Sequence, residues 1–357
     1  MSLLFEPMTL RGAEIRNRVW VSPMCQYSSV DGMPDDWHLV HLGQFATGGA
    51  GLVLTEASAV TPEGRISPED AGIWSDAQAE AWARVAAFVR SQGARVGMQL
   101  AHAGRKGSTY APWRGRGSVP LDRGGWEAVA PSAVAFGSYA PPRALSTDEV
   151  ASLPGVFAAA ARRSLGVGFE VLELHAAHGY LLHEFLSPLA NRRDDVYGGS
   201  FDNRARLLVE TVDAVRGTVP DSTPLLVRIS ATDWVDGGWD VEQSVALVRV
   251  LHEHGVDLVD VSSGGLSADQ QIETGPGYQV PFAHRLRTEA GIPTGVVGMI
   301  TEPRQAEQVL TDGSADAVLL ARALLRDPHW ALTAAAELDP GRAPWPPQYE
   351  RAAHAEQ

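Results

Sequence analysis

Cysteine is almost absent from this chain: Cys25 is the only one in 357 residues. A lone thiol has no partner for an internal disulfide, and it suits a reducing, cytoplasmic setting. Long apolar runs are missing too, since none approaches the roughly 20 residues that span a bilayer. The start, Met1-Ser-Leu-Leu-Phe-Glu-Pro7, has no basic segment leading into an apolar one, so no signal peptide is expected. Basic residues are outnumbered by acids, 29 against 43, for a net charge of −14. No block of Lys and Arg forms a compensating patch, so neither nucleic acid nor a membrane is an expected partner. A Gly-rich first turn is also lacking. The first strand runs into Ser22-Pro-Met-Cys25, the wrong chemistry for a doubly wound dinucleotide fold.

What the chain does have is rhythm. Apolar, β-branched runs at 18–22, 51–55, 95–100, 169–174, 225–229, 258–261, 294–297 and 317–320 read as eight buried strands. Helical periodicity follows each, at 36–47, after capping boxes at Ser75-Asp-Ala-Gln78 and Ser146-Thr-Asp-Glu149, and at 201–215, 241–254, 282–289 and 302–310. A last helix is expected to run through Leu324 and Trp330. The pattern predicts an eight-stranded parallel (β/α)8 TIM barrel filling 1–357 as a single domain. An N-terminal hairpin turning at Gly12 precedes it. A Gly, Pro and Trp-rich excursion, 101–145, interrupts it after strand three; a loop that long is functional or a small subdomain. The Pro-rich tail, 340–357, reads as irregular and too rich in proline for helix.

Polar residues collect where strands end, which in such a barrel is the ligand mouth. The fourth strand runs straight into His175-Ala-Ala-His178-Gly-Tyr180, two imidazoles and a phenol in six residues. Strand one ends in Pro23-Met-Cys-Gln-Tyr27, strand two in Glu56-Ala57, and strand three in Gln99, with His102, Arg105 and Lys106 beyond. Strand five carries Arg228; strands seven and eight end in Gly298-Met299 and Ala321-Arg322, positions that often hold a phosphate. A phosphate on one side, polar groups across the mouth and apolar Pro-Met between them describe a flat, phosphorylated cofactor. Glu173, His175, His178 and His183 also form a possible zinc set, and Cys25 reads as a buried structural thiol. Trp113 and Trp126 read as packing or as a lid. Lys106 reads equally as a solvated loop charge or an active-site cation.

Several of these stretches together resemble the Old Yellow Enzyme family of FMN-dependent ene-reductases, in its thermophilic-like and xenobiotic-reductase branch. They are 22–27, 99–106, 175–180, 197–204, 298–301, 327–330 and 348–351, and the resemblance runs from Phe5 to Arg351. It implies non-covalent FMN, reduced by NADPH or NADH, with Pro23, Met24, Cys25 and Ala57 against the ring. Gln99 and Arg228 would bond the pyrimidine edge, and Gly298, Met299, Ala321 and Arg322 the phosphate; the family often has glycine where Ala321 stands. His175 and His178 would hold the oxygen of an activated alkene and Tyr180 would be the acid. Tyr27 would touch substrate, and Cys25 would tune the flavin. A homodimer or dimer of dimers is implied, with Arg351 reaching into the partner's site. A zinc-dependent barrel hydrolase and a non-catalytic flavin sensor are the alternatives.

Overall fold

The computed structural model describes residues 2–353. Eight strands close a parallel barrel in chain order: β1 (Val19–Val21), β2 (Leu52–Ala59), β3 (Arg95–Ala101), β4 (Val171–Ala176), β5 (Leu225–Ser230), β6 (Leu258–Ser262), β7 (Thr294–Val296) and β8 (Ala317–Leu320). Covered by helices on the outside and filled by side chains within, the strands are buried along nearly their whole length. The helices Asp36–Thr47, Asp76–Ser91, Thr147–Gly166, Phe201–Arg216, Val241–Glu253, Val280–Ala290, Pro303–Thr311 and Trp330–Leu338 form the outer ring. The expected barrel is what the chain builds.

The local signals explain the element ends. Ser75 and Ser146 each accept from the backbone of the third helical residue, whose side chain returns to the cap. Each such cap is worth about 1 kcal/mol. Asp35 and His38 make a third box that opens Asp36–Thr47. The N-terminal hairpin, Met8–Leu10 with Ala13–Ile15, plugs one mouth of the barrel. Its Leu10 and Ile15 pack with Trp20, Leu52, Val171, Leu226, Leu258 and Leu319, which line the interior.

Four expectations change. The second strand runs on to Ala59, because its pairing with β3 resumes at Ala57 opposite Gln99, so Glu56 and Ala57 lie inside it rather than at its end. The fourth strand is Val171–Ala176 rather than 169–174, because pairing with β3 begins at Gly97 opposite Val171; His175 is therefore inside the strand. The last helix is two, Arg322–Arg326 and Trp330–Leu338. Pro328 forces Asp327 out of helical geometry, to φ −136° and ψ 93°. The tail is not wholly irregular: Pro347–Tyr349 forms a tight helical turn and Glu350–Ala353 continues it. Proline at the start of a turn costs nothing, since its missing N–H would have no partner there.

Candidate active site

The open mouth of the barrel is built by a period-two pattern. On β4 Glu173 and His175 share the inner face, as do Arg228 and Ser230 on β5 and Asp260 and Ser262 on β6. Register sets Gln99 opposite Glu173, His175 opposite Arg228, and Arg228 opposite Asp260. Gln99 Nε2 donates to Glu173 Oε1 at 2.7 Å, and Arg228 Nε lies 2.9 Å from Asp260 Oδ2. Burial pushes the Glu173 carboxyl up to about 8, with Asp260 adding and Arg228 and Gln99 opposing. Glu173 therefore carries a proton at neutral pH, and the buried layer is close to neutral.

His175 and His178 stand one step nearer solvent. Their rings are edge-to-face with centroids 5.1 Å apart, and His178 Nδ1 is 3.4 Å from His175 Nε2. Burial holds both well below the usual histidine range, with Arg228 next in effect and Lys106 adding to it. Both rings are neutral. His175 Nδ1 accepts the Ala177 N–H at 3.2 Å, so its own proton sits on Nε2, facing His178. His178 Nε2 is 2.7 Å from Ser262 Oγ. Its backbone is left-handed, φ 58°, a conformation costing roughly 1–3 kcal/mol away from glycine. Ser230 Oγ accepts its N–H at 2.9 Å and Lys106 Nζ donates to its carbonyl at 2.8 Å, which holds the strain in place.

Tyr180 packs its ring 4.9 Å from that of His175. With Tyr27 and Cys25 it rests on Ala57, Ile66, Ala101 and Ala103. Burial raises the Tyr180 phenol well above 10, with Cys25 and Tyr27 adding, so it remains a proton donor. Burial likewise pushes the Cys25 thiol up, helped by Asp70 and Glu56, so it is not a ready nucleophile. Tyr27 and Tyr180 line a cavity of 610 Å³ whose remaining wall, Ile66 apart, comes from the excursion after β3, from Lys106 to Tyr139. Trp113 packs edge-on against Tyr27 at 5.6 Å. Trp126 donates to Glu63 O at 2.9 Å and lies under Arg65, as packing.

A second cavity, of 330 Å³, opens beside Arg228 between the ends of β7 and β8. Gly298, Met299, Ala321 and Arg322 line it, with Tyr278 and Arg326. Arg322 and Arg326 are exposed, and neither forms a hydrogen bond or ion pair within the described residues. Gly298 has φ 131°, and a Cβ there would lie 2.8 Å from Gln279 Nε2.

The NADH:flavin oxidoreductase / NADH oxidase family matches residues 3–340. The chain belongs to that family. An NADPH dehydrogenase of Geobacillus thermodenitrificans is 47% identical over 353 residues, covering 98% of each chain. The NADPH dehydrogenase of Bacillus subtilis is 45% identical over 351 residues, again 98% of each. Among solved structures, morphinone reductase in complex with tetrahydroNAD superposes with a TM-score of 0.78 at 29% identity, over 94% of this chain and 90% of that one. The Old Yellow Enzyme resemblance holds, and this member is an FMN-dependent, NAD(P)H-using oxidoreductase.

The residues fit FMN. The smaller cavity offers two guanidinium groups, Arg322 and Arg326, without partners among the described residues, and a glycine cradle, which suit a phosphate. Arg228 lines that cavity and stands opposite His175 in register, Gln99 is bonded to Glu173 on the next strand, and Pro23, Met24 and Cys25 follow the end of β1 while Ala57 lies within β2. The zinc set is not assembled. His183 turns away, pairing with Asp233 at 3.0 Å and accepting the Gly179 N–H at 2.9 Å. Among the described residues no three His, Cys, Asp or Glu side chains converge to hold a metal. Sequence reasoning missed Ser230, Asp260, Ser262 and Arg326. The first three lie two residues from one another or from Arg228 on inward faces, a signal the period-two rule contains.

Proposed function

We propose that this enzyme is an ene-reductase, adding a hydride to the β-carbon of activated alkenes and a proton to the α-carbon. The supporting observation is the histidine pair: two neutral rings 3.4 Å apart at facing nitrogens, beside a buried phenol. Bound FMN supplies the hydride, having taken it from NAD(P)H. We assign the His178 proton to Nδ1, the nitrogen that faces His175 Nε2, so two N–H groups face one point. An enone, maleimide or nitroalkene oxygen placed there gains negative charge as the β-carbon accepts hydride, and prearranged donors stabilise it. Tyr180, held protonated, delivers its proton to the α-carbon as general acid. Tyr27, which lines the same cavity, contacts the substrate. Gln99 and Arg228 hold the flavin's pyrimidine edge, Gly298, Met299, Ala321 and Arg322 its phosphate, and Pro23, Met24 and Ala57 its ring. Cys25 tunes the flavin without bonding to it.

Anaerobic titration of the NADPH-reduced enzyme with a cyclic enone, a maleimide and a nitroalkene tests this. Each class is expected to reoxidise the flavin, in Cys25→Ser as in the native chain. A flavin that stays reduced with all three would sink the proposal, and a dead but FMN-loaded Cys25→Ser would point to covalent chemistry.

We also propose a homodimer, or a dimer of dimers, in which Arg351 completes the partner's substrate pocket. Arg351 is exposed and pairs with no acid among the described residues. Tyr349, two residues before it, docks 5.9 Å from the His329 ring of its own chain, which gives the tail a fixed departure point. Truncation after Pro347 is expected to raise KM for alkenes and weaken the dimer while FMN stays bound. A monomer in solution, or unchanged kinetics after truncation, argues against it.

A further inference from the structure

Of the chain's 29 lysines and arginines, a single one is lysine: Lys106. Its Nζ donates to His178 O at 2.8 Å and to Gly265 O, and stands 4.0 Å from the centroid of the Phe136 ring. These partners belong to three different loops: the one after β4, the one after β6, and the excursion after β3. Arg105 repeats the pattern beside it, donating to Val134 O at 3.1 Å and to Leu266 O at 2.7 Å. Arg105 thus ties the excursion to the β6 loop, and Lys106 ties both to the β4 loop.

The β4 and β6 loops meet backbone to backbone at this point. A Cβ on Gly265 would lie 2.6 Å from His178 Cα, and one on Gly179 only 2.3 Å from Gly265 O. Such an approach turns two carbonyl oxygens toward one spot, where they need a shared donor. Taking the histidine pair as the oxygen-binding site proposed above, we propose that Lys106 is a positioning residue for His178. Its ammonium locks the β4 and β6 loops together, keeps His178 left-handed, and so aims that ring at the oxygen held beside His175.

The choice of residue has a physical reason. An ammonium is a compact tetrahedral donor that reaches two carbonyls out of plane while resting on a ring face. A guanidinium is planar and always charged. Burial brings Lys106 down to about 8, with Glu184 opposing and Arg105 assisting. Glu184 is itself pushed up to about 8 by burial, against Arg105 and Lys106. The other titratable neighbours are His175 and His178, which stay neutral, Tyr27 and Tyr180, which stay protonated, and Tyr139 and Arg116 across the cavity. Charge-assisted bonds are about twice as strong as neutral ones. The clamp is therefore complete below about pH 8 and loosens as pH rises through that value.

Because Lys106 is the only lysine, ζ-¹⁵N-lysine incorporated into the FMN-bound enzyme gives one side-chain resonance. It is expected to titrate near pH 8; a midpoint at the ordinary value of about 10.4 overturns the proposal. Affinity for cyclohexenone, which does not titrate, is read from the absorbance of the oxidised flavin. In the native chain it is expected to decline above pH 8. In Lys106→Met it is expected to be about tenfold weaker at pH 7 and flat with pH. Lys106→Arg, charged throughout, is expected to be weaker than the native chain and equally flat. Native affinity with a native pH profile in Lys106→Met overturns the proposal. Failure of the native enzyme to bind any enone instead removes the oxygen-binding role of the histidines. If Lys106→Met does not fold, the resonance and the native pH profile still decide.

Discussion

His175→Ala and His178→Ala are each expected to slow reoxidation of the reduced enzyme by an enone ~10²-fold, the usual loss for one oxyanion donor. Phenol and enone binding should weaken alongside, while FMN stays bound, because neither ring lines the cavity assigned to its phosphate. The two losses should not multiply in the double variant, since both rings serve one oxygen. Both imidazoles are held well below their ordinary titration range, so no histidine-like break is expected in the oxidative half-reaction between pH 6 and 8. Stopped-flow reoxidation across that range measures both points. A native rate in either alanine variant, with folding and FMN intact, removes that histidine from the mechanism.

Tyr180→Phe separates proton transfer from binding. The phenyl ring can keep its 4.9 Å contact with His175, so ligand affinity is expected to change little. The proton donor is lost, and alkenes whose α-carbon is weakly acidic should turn over roughly 10²-fold more slowly or worse. Nitroalkenes, whose adducts are stable anions, should still reoxidise the flavin and release the unprotonated product. Turnover of simple enones at the native rate would mean that water or another residue is the acid.

The barrel was legible because each strand is a short apolar run between turn signals, and two of the long helices open on capping boxes, at Ser75 and Ser146. His175, His178 and Tyr180 were legible because polar groups follow a buried strand directly. The shift of β4 by two residues was not, since Phe169 is as apolar as any strand residue and only pairing with β3 fixes where the ladder starts. Pro328 in Asp327-Pro-His329 was a visible stop signal for the last helix, yet apolar residues on both sides made one helix look continuous. The proline count of the tail points away from helix, whereas what matters is that Pro347 sits at the start of its turn. Lys106 reads equally as a loop charge or an active-site cation in sequence, because its partners are backbone carbonyls, which leave no mark there.

The two cavities draw on separate lengths of chain. The wall around Tyr27 and Tyr180 comes mostly from residues 106–139, and the seat beside Arg228 mostly from 262–326. With the first proposed for the substrate and the second for the flavin phosphate, what is reduced and what does the reducing would be encoded apart. Substitutions in the excursion are then expected to change which molecules gain entry while leaving the electron carrier's place undisturbed. A lineage built this way can explore new chemistry without first losing the old power source.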